Sequence, residues 1–204
     1  LCREINTGAP ENVLDLRKIR RRVLIRGYHQ SMEIVRAGWH IIFPEFRLLI
    51  ESRNTSARFQ EVADRVSSED NWSLHLRRGD FENSAQTLGV TDETYYNRIL
   101  NGRDAKKLTI FMNSSTQENR LRQSFNNATF ITEADFGTLD TFSLMSLSKN
   151  LIIANSTFSW WAGKIAIEFG GNVCAPNPWN KVTIFSRDYL RENRFNYEST
   201  IFEQ

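Results

Sequence analysis

From residue 72 onward, short and mostly apolar runs alternate with segments whose apolar residues recur at helical spacing. The runs lie at residues 72–76, 108–112, 129–132, 151–154 and 172–175. Because apolar residues stand next to one another in these runs, both faces of each strand should be covered by other elements. The pattern predicts an α/β fold in which the strands form a doubly wound parallel sheet.

Helices are predicted between and before these strands. The predicted segments are residues 31–43, 57–66, 91–100, 116–125, 140–147 and 158–169, with a further short strand at residues 23–28. The first helix should end before Pro44, Thr91 should cap the third, and Pro176 and Pro178 should stop the last strand. Ligands of such sheets bind beyond the carboxyl ends of the strands, so chemistry is expected there.

Composition limits the classes of function. The 204 residues are 40% apolar and carry a net charge of +2, which suits a globular domain and does not favour nucleic acid as a partner. The chain begins at Leu1 rather than Met, so we expect a fragment or a processed product. Neither an Asp-x-Asp triplet nor Cys/His spacing for zinc occurs, and we therefore expect no metal and no cofactor.

The first candidate constellation is a strand that runs into charge. It reads Ser73-Leu74-His75-Leu76-Arg77-Arg78-Gly79-Asp80. Side chains alternate along a strand, so His75 and Arg77 should share one face, with Leu74 and Leu76 on the other. Two guanidinium groups at a strand tip can bind a pyrophosphate through forked hydrogen bonds. The alternative is a basic strand end that faces solvent, with Asp80 paired to one arginine.

The second constellation follows the strand at residues 151–154. The segment Asn155-Ser156-Thr157 turns into a helix that begins near Phe158-Ser159-Trp160-Trp161. The free N–H groups and positive dipole end of that helix, at the carboxyl edge of the sheet, form a phosphate-binding geometry. The alternative is ordinary N-capping by Ser or Thr, with the tryptophans in the core.

Together these segments resemble the α-1,2-fucosyltransferases of glycosyltransferase family 11. The stretch His75–Asp80 is also similar to α-1,6- and protein O-fucosyltransferases, whereas Asp140 with Leu144-Met145-Ser146 and the segment Asn155–Trp161 resemble family 11 specifically. Further matching pieces are Gly27-Tyr28-His29-Gln30-Ser31, Tyr95-Tyr96, and Ala175-Pro176 with Trp179. The resemblance covers roughly residues 23–180.

The resemblance implies a GT-B-like fold, of which this chain holds mostly the C-terminal, Rossmann-like nucleotide-sugar half. It implies inverting, metal-independent transfer of L-fucose from GDP-β-L-fucose to the 2-hydroxyl of a galactose in a glycan. Arg77, Arg78 and Asp80 are the implied catalytic residues. The implied donor-binding residues are His75 and Asp140 near the guanine, Arg77 and Arg78 at the pyrophosphate, and Asn155, Ser156, Thr157, Phe158 and Ser159 around phosphate.

The sequence departs from the family pattern in two places. One affects where the domain boundary is drawn, and the other affects which acidic residues are available for catalysis. The usual opening Gly-rich segment with Gly-Asn-Gln and Phe-Gln is absent, so residues 1–70 are interpreted as a remnant of the acceptor-side half and residues 71–204 as the GDP-fucose domain. Met112-Asn113-Ser114-Ser115 stands where the family often has Ser-Asp-Asp. Three possibilities remain for the general base that takes the acceptor proton. It is Asp80, it is another residue that lies in the missing half, or the reaction needs only weak base assistance.

Other functions and several compartments remain open at this stage. The alternatives are a fucosyltransferase of another linkage, or a module that binds GDP-sugar or glycan without turnover. The expected partners are a nucleotide-sugar donor and a galactose-containing acceptor, with membrane association through a missing segment or a lipid-linked acceptor. Few cysteines favour a bacterial cytoplasmic, membrane-peripheral enzyme, and the glycosylation sequons permit the lumenal side of a Golgi membrane.

Overall fold

A computed structural model describes the greater part of the chain. It covers residues 3–6, 23–26, 32–53, 55–78, 85–101, 103, 106–113, 118–132, 134–182, 191–200 and 202. Within these residues the strands are β1 (Arg3–Asn6), β2 (Val23–Arg26), β3 (Asn71–Leu76), β4 (Lys107–Met112), β5 (Ala128–Ile131), β6 (Asn150–Ile152), β7 (Asn172–Asn177) and β8 (Asn196–Ser199). The helices are α1 (Met32–Glu51), α2 (Ala57–Val66), α3 (Glu93–Leu100), α4 (Glu118–Ser124), α5 (Thr138–Ser146) and α6 (Thr157–Glu168).

The main sheet has six strands in the order β5-β4-β3-β6-β7-β8, and every neighbouring pair is parallel. The chain moves outward from β3 through β4 to β5, then returns to the centre at β6 and moves outward the other way. This is the strand order of a doubly wound, Rossmann-like sheet, and its switch point lies between β3 and β6. Strands β1 and β2 pair in parallel as a separate ribbon.

Helices cover both faces of the sheet, as the continuous apolar runs predict. On one face, α3 and α4 bury Tyr95, Tyr96 and Leu121 against Leu74 and Leu76 of β3. On the other face, α1, α2, α5 and α6 pack against the remaining strand residues in two adjoining clusters. The predicted α/β class is therefore confirmed, and the GT-B arrangement of two such halves stays a prediction.

Helix α1 continues past the proline that was expected to end it. Pro44 lies inside the helix, on its exposed side, where water can bind the carbonyl oxygen that loses its intrahelical partner. The apolar spacing also continues beyond Pro44 through Phe46 to the buried Ile50. Packing of that face against the sheet outweighs the local preference of the proline, so the predicted boundary at Phe43 was wrong.

Two smaller boundary predictions were also wrong. Asp92, not Thr91, caps α3, since its Oδ1 accepts a hydrogen bond from the Thr94 N–H at 2.6 Å. Strand β7 runs through Pro176 rather than stopping there. Proline lacks the N–H that another residue would point toward β6, but β6 ends before this position, so no ladder hydrogen bond is lost. The other predicted helices and strands agree with the structure within about two residues, whereas β1 and β8 were not predicted from their polar sequences.

The predicted boundary at residue 70 is not tested by the structure. Helices α1 and α2, which fall in the predicted first segment, contribute Phe59, Val62 and Ile50 to the same core cluster as Phe111 and Ile131 of the sheet. They therefore form part of the packed unit that presents the site.

Candidate nucleotide-sugar site

The two constellations found in the sequence meet at the switch point of the sheet. Strands β3 and β6 are parallel neighbours, with Ser73 opposite Leu151 and Leu74 opposite Ile152. Just beyond these pairs, β3 leads into Arg77 and Arg78, and β6 leads into Asn155 and α6. Because ligands of doubly wound sheets bind outside the carboxyl ends of the strands at this point, both segments lie where a ligand is expected.

Two tyrosines of α3 bind backbone carbonyls near the ends of the two strands. Beyond Leu74 and Ile152, β3 and β6 are no longer paired. The Tyr96 hydroxyl donates to the His75 carbonyl at 2.9 Å, and the Tyr95 hydroxyl donates to the Ile153 carbonyl at 3.2 Å. Both tyrosines are fully buried on α3. Their hydroxyls satisfy two carbonyls that lie close to where the pairing of β3 with β6 ends.

His75 is buried on the face of β3 opposite Leu74 and Leu76, as alternation predicted. Its ring lies 6.0 Å from the ring of Phe158 at the start of α6. Burial, and secondarily the charge of Arg77, lowers the pKa of His75 from 6.5 to about 3. The imidazole is therefore neutral at physiological pH. Among the described residues, none accepts from or donates to its buried Nδ1.

The two arginines differ in burial. Arg77 is half-buried, whereas Arg78 is only 1% exposed, which contradicts a solvent-facing basic strand end at that residue. The backbone of Arg78 is held from β4: its N–H donates to Asn113 Oδ1 at 2.9 Å, and its carbonyl accepts from Asn113 Nδ2 at 3.1 Å. The predicted partner Asp80 lies outside the described residues, as does Gly79.

The first turn of α6 presents backbone N–H groups rather than a capped end. Ser156 occupies the N-cap position, and its side chain makes no capping hydrogen bond. The hydroxyl of Ser159 is fully buried and donates to the carbonyls of Ala154 and Ser156, so it holds the turn in this structure. Thr157 and Phe158 are half-buried. A helix N-terminus of this kind favours an anion.

Asn155 ties the tip of β6 to the loop that precedes α3. Its Nδ2 donates to the carbonyls of Leu88 at 2.9 Å and Gly89 at 3.0 Å. Gly89 has φ +76°, and a Cβ there would lie 2.4 Å from the Phe202 ring, so the tight turn requires glycine. The Oδ1 of Asn155 is buried and lacks a hydrogen-bond partner among the residues that are described. Substrate binding by Asn155 stays a prediction.

Asp140 is engaged by residues that the sequence analysis missed. It lies in the first turn of α5, where its Oδ1 accepts from Arg53 Nε at 2.7 Å and its Oδ2 accepts from Thr55 at 3.1 Å. Arg53 and Thr55 belong to the connection between α1 and α2. Two residues later in α5, the ring of Phe142 lies 5.4 Å from the ring of Phe158, which lies 6.0 Å from the ring of His75. A packed row of rings therefore links the α5 terminus to β3.

No metal-binding cluster is found in the described part of the chain. None of its His, Cys, Asp and Glu side chains form a group of three or more that could hold an ion together. Among the same residues, no helix has the length and apolar character needed to cross a bilayer.

Comparison with known sequences decides the family. The family model described as Glycosyl transferase family 11 matches residues 39–196, which is well over half of the chain. The chain belongs to glycosyltransferase family 11. This confirms the resemblance drawn from the Arg-Arg and Ser-Trp-Trp segments.

Two curated proteins are similar to this family 11 chain. An alpha-1,2-colitosyltransferase of Escherichia coli is 32% identical over 138 residues, which cover 62% of this chain and 47% of that protein. The O-antigen biosynthesis glycosyltransferase WbnK of Escherichia coli is 26% identical over 164 residues, which cover 74% of this chain and 53% of that protein. The chain thus spans about half the length of the curated relatives it matches.

Proposed function

We propose that this family 11 chain binds the GDP moiety of a GDP-sugar at the switch point between β3 and β6. The protein would transfer L-fucose from GDP-β-L-fucose to the 2-hydroxyl of a galactose in a glycan, with inversion at the anomeric carbon. The observation that carries the proposal is the meeting of the Arg77-Arg78 strand tip with the uncapped N-terminus of α6. Family membership and the α-1,2 linkage named for one relative support it.

The electrostatics of this edge suit a leaving diphosphate. GDP gains negative charge as the bond from the anomeric carbon to the phosphate oxygen breaks. Guanidinium groups and helix N–H groups aimed at that oxygen stabilise the charge as it develops, and no metal is needed for this step. Arg77, half-buried beside His75, would be the main forked donor, and Arg78 a second positive charge.

The neutral ring of His75 suits a role at the nucleotide base. A buried neutral imidazole exchanges hydrogen bonds with a polar base without adding charge to the site. Asp140, held by Arg53 and Thr55, would contact the guanine as the resemblance implies.

The acceptor side of the reaction requires a bond from the galactose O2 to the anomeric carbon. The O2 proton passes to a base as that bond forms, on the face opposite the departing GDP. Asp80 is the acidic residue inside these motifs. We propose that it acts either as this base or as a partner of the arginines.

The name of one relative favours a second donor. Colitose is L-fucose without its 3-hydroxyl, so GDP-colitose differs from GDP-fucose by one oxygen. An alpha-1,2-colitosyltransferase among the relatives makes this donor the second candidate. A site that hydrogen-bonds the 3-hydroxyl would discriminate strongly against colitose, and a site without such a contact would not.

Transfer assays with both donors test the proposal. Radiolabelled GDP-fucose and GDP-colitose are offered with a β-galactoside in EDTA, and product linkage is read by NMR. We expect an α-1,2 product from at least one donor in a preparation that includes the acceptor-side half, and poor or no transfer by the 204 residues alone. Tight GDP binding without any product would instead favour the alternative of a binding module, and a product at another hydroxyl would favour another linkage.

A further inference from the structure

We propose that Asn113 is a positioning residue for the donor diphosphate. Its side-chain amide fixes the backbone at Arg78, and thereby sets the direction in which the arginine pair leaves β3. This inference rests on the proposed function, because the diphosphate is the group that the arginines are proposed to bind. The observation that supports it is a pair of hydrogen bonds: the side-chain amide of Asn113 binds both the N–H and the carbonyl of Arg78.

The two bonds continue the β3–β4 ladder beyond its last backbone pair. Leu76 lies opposite Met112 in the parallel register, so Arg78 and Asn113 come just after the paired residues. The Arg78 N–H donates to Asn113 Oδ1 at 2.9 Å, and Asn113 Nδ2 donates to the Arg78 carbonyl at 3.1 Å. The planar amide therefore takes the place of a peptide group where the strands end.

An amide is the side chain that this arrangement requires. A carboxylate at the same position could accept from the Arg78 N–H, but it has no donor for the Arg78 carbonyl and would repel it. A serine hydroxyl is too short to reach both groups. The segment containing Asn113 stands where the family often has acidic residues. In this chain the Asn113 amide makes two hydrogen bonds to the Arg78 backbone, and an ionised acid could make only one of them.

Small changes at this backbone position should move both guanidinium groups. Arg78 is almost fully buried and Arg77 half-buried, so both side chains extend from a peptide unit enclosed by its neighbours. A long side chain converts a modest rotation of its backbone into a displacement of its terminal group. Forked recognition of phosphate oxygens depends on that placement, and loss of preorganisation lowers affinity even when each charge remains.

Calorimetry with GDP and with guanosine separates positioning from general stability. Asn113→Leu keeps the shape of the side chain and removes both bonds. We expect its Kd for GDP to rise about tenfold, the size of effect that follows loss of one or two hydrogen bonds, while its Kd for guanosine stays unchanged. Guanosine lacks phosphates, so it does not report on the arginines.

Asn150→Ala is the matched control. The Asn150 amide donates to two backbone carbonyls, those of Glu69 at 3.0 Å and Asn71 at 3.2 Å, at the opposite edge of the same sheet. This variant should melt at a lower temperature and bind both ligands as the unsubstituted chain does. Equal weakening of GDP and guanosine by Asn113→Leu, or unchanged GDP binding, would overturn the positioning role.

A second variant decides the matter if Asn113→Leu does not fold. Asn113→Asp is isosteric and keeps the acceptor for the Arg78 N–H, and we expect it to weaken GDP binding while guanosine binding is preserved. A GDP Kd equal to that of the unsubstituted chain would overturn the inference. If the unsubstituted chain binds guanosine but gains nothing from the diphosphate, the proposed function itself fails, which is a different result.

Discussion

Arg77 and His75 have opposite electrical roles at the tip of β3. Arg77 keeps its charge in a half-buried position, whereas burial makes His75 neutral and Arg77 further disfavours its protonation. The proposed site for a diphosphate and a polar base would benefit from this division, because positive charge would then be concentrated at the phosphates.

Replacing Arg77 by lysine should damage catalysis far more than the conserved charge suggests. Lysine lacks the planar fork that engages two phosphate oxygens at once. We expect Arg77→Lys to lower turnover by ~10²–10³, with a smaller change in GDP affinity, because charge on the leaving group grows in the transition state. Arg78→Lys should lower turnover less. Steady-state kinetics on a preparation that transfers the sugar give both values.

The exposed Arg98 on α3 provides the control for that series. It contacts the Ser199 carbonyl at the edge of the sheet, and Arg98→Lys should leave turnover unchanged. Near-normal turnover by a folded Arg77→Lys protein would remove Arg77 from the catalytic assignment.

The protonation of His75 should make folding stability fall in acid. The unfolded chain binds a proton near pH 6.5, and the folded chain does so only near pH 3, so the unfolded state holds more protons between these values. Stability is therefore full above pH 6.5 and declines as the pH falls toward 3. Between pH 7 and pH 5, His75 alone should account for a loss of about 2 kcal/mol.

Urea unfolding at both pH values measures this loss. His75→Gln should flatten the pH dependence, and His40→Gln, at an exposed position of α1, should leave it unchanged. Parallel curves for the protein and its His75→Gln variant would show that His75 is not the group responsible.

Single residues were predictable from sequence where local geometry alone determines them. Strand alternation placed His75 opposite Leu74 and Leu76, and this is confirmed. The contacts of Asp140 with Arg53 and of Asn113 with Arg78 were missed, because they join segments 87 and 35 residues apart in the chain. A search for polar residues directly after each buried strand would have found Asn113.

At the scale of elements, the site depends on turns that fix the ends of β3, β6 and α6. The loop before α3 is held to Asn155, and its backbone at Leu88 and Thr87 also accepts hydrogen bonds from Lys181 and Val182. These contacts connect the segment that follows β3 with the tip of β6, which fixes the loop beside that strand end.

Gly89 should tolerate substitution less well than another glycine of the same backbone conformation. Both Gly89 and Gly170 have positive φ, at +76° and +80°, so alanine is strained at each. An added Cβ at Gly89 meets the Phe202 ring at 2.4 Å, whereas nothing lies within 4 Å of one at Gly170. We expect Gly170→Ala to cost about 1 kcal/mol of unfolding free energy and Gly89→Ala clearly more.

Denaturant melts of the two alanine variants test this difference. The Gly170→Ala variant supplies the cost of backbone strain alone, so the excess loss in Gly89→Ala measures the clash with Phe202. Equal losses would mean that the ring moves away freely and that the turn is less restrained than its contacts indicate.

Element types were largely predictable, whereas several of their ends were not. Continuous apolar runs specified the central strands, and helical spacing specified α2 within the observed bounds. The end of α1 was missed because tertiary packing of Phe46 and Ile50 overrides the proline. The edge strand β8 was missed because its sequence Asn-Tyr-Glu-Ser carries no apolar pattern.

At the scale of the whole molecule, the strand order brings together two segments that lie about 75 residues apart in the sequence. The βαβ rule predicts parallel strands and covered faces, but sequence alone does not say which strand lies next to β3. The neighbouring position of β6 is what brings the two separate motifs together as one candidate site, and it follows from the return of the chain through α5.

Binding of GDP in the absence of metal is the measurement that tests the central claim most directly. Titration of GDP into the chain in EDTA, followed by excess magnesium, reports whether arginines and the α6 N-terminus suffice to hold the diphosphate. We predict saturable binding in EDTA, a Kd that magnesium leaves unchanged, and much weaker binding of guanosine. Binding that disappears in EDTA and returns with magnesium would contradict a metal-independent site at the β3–β6 switch point.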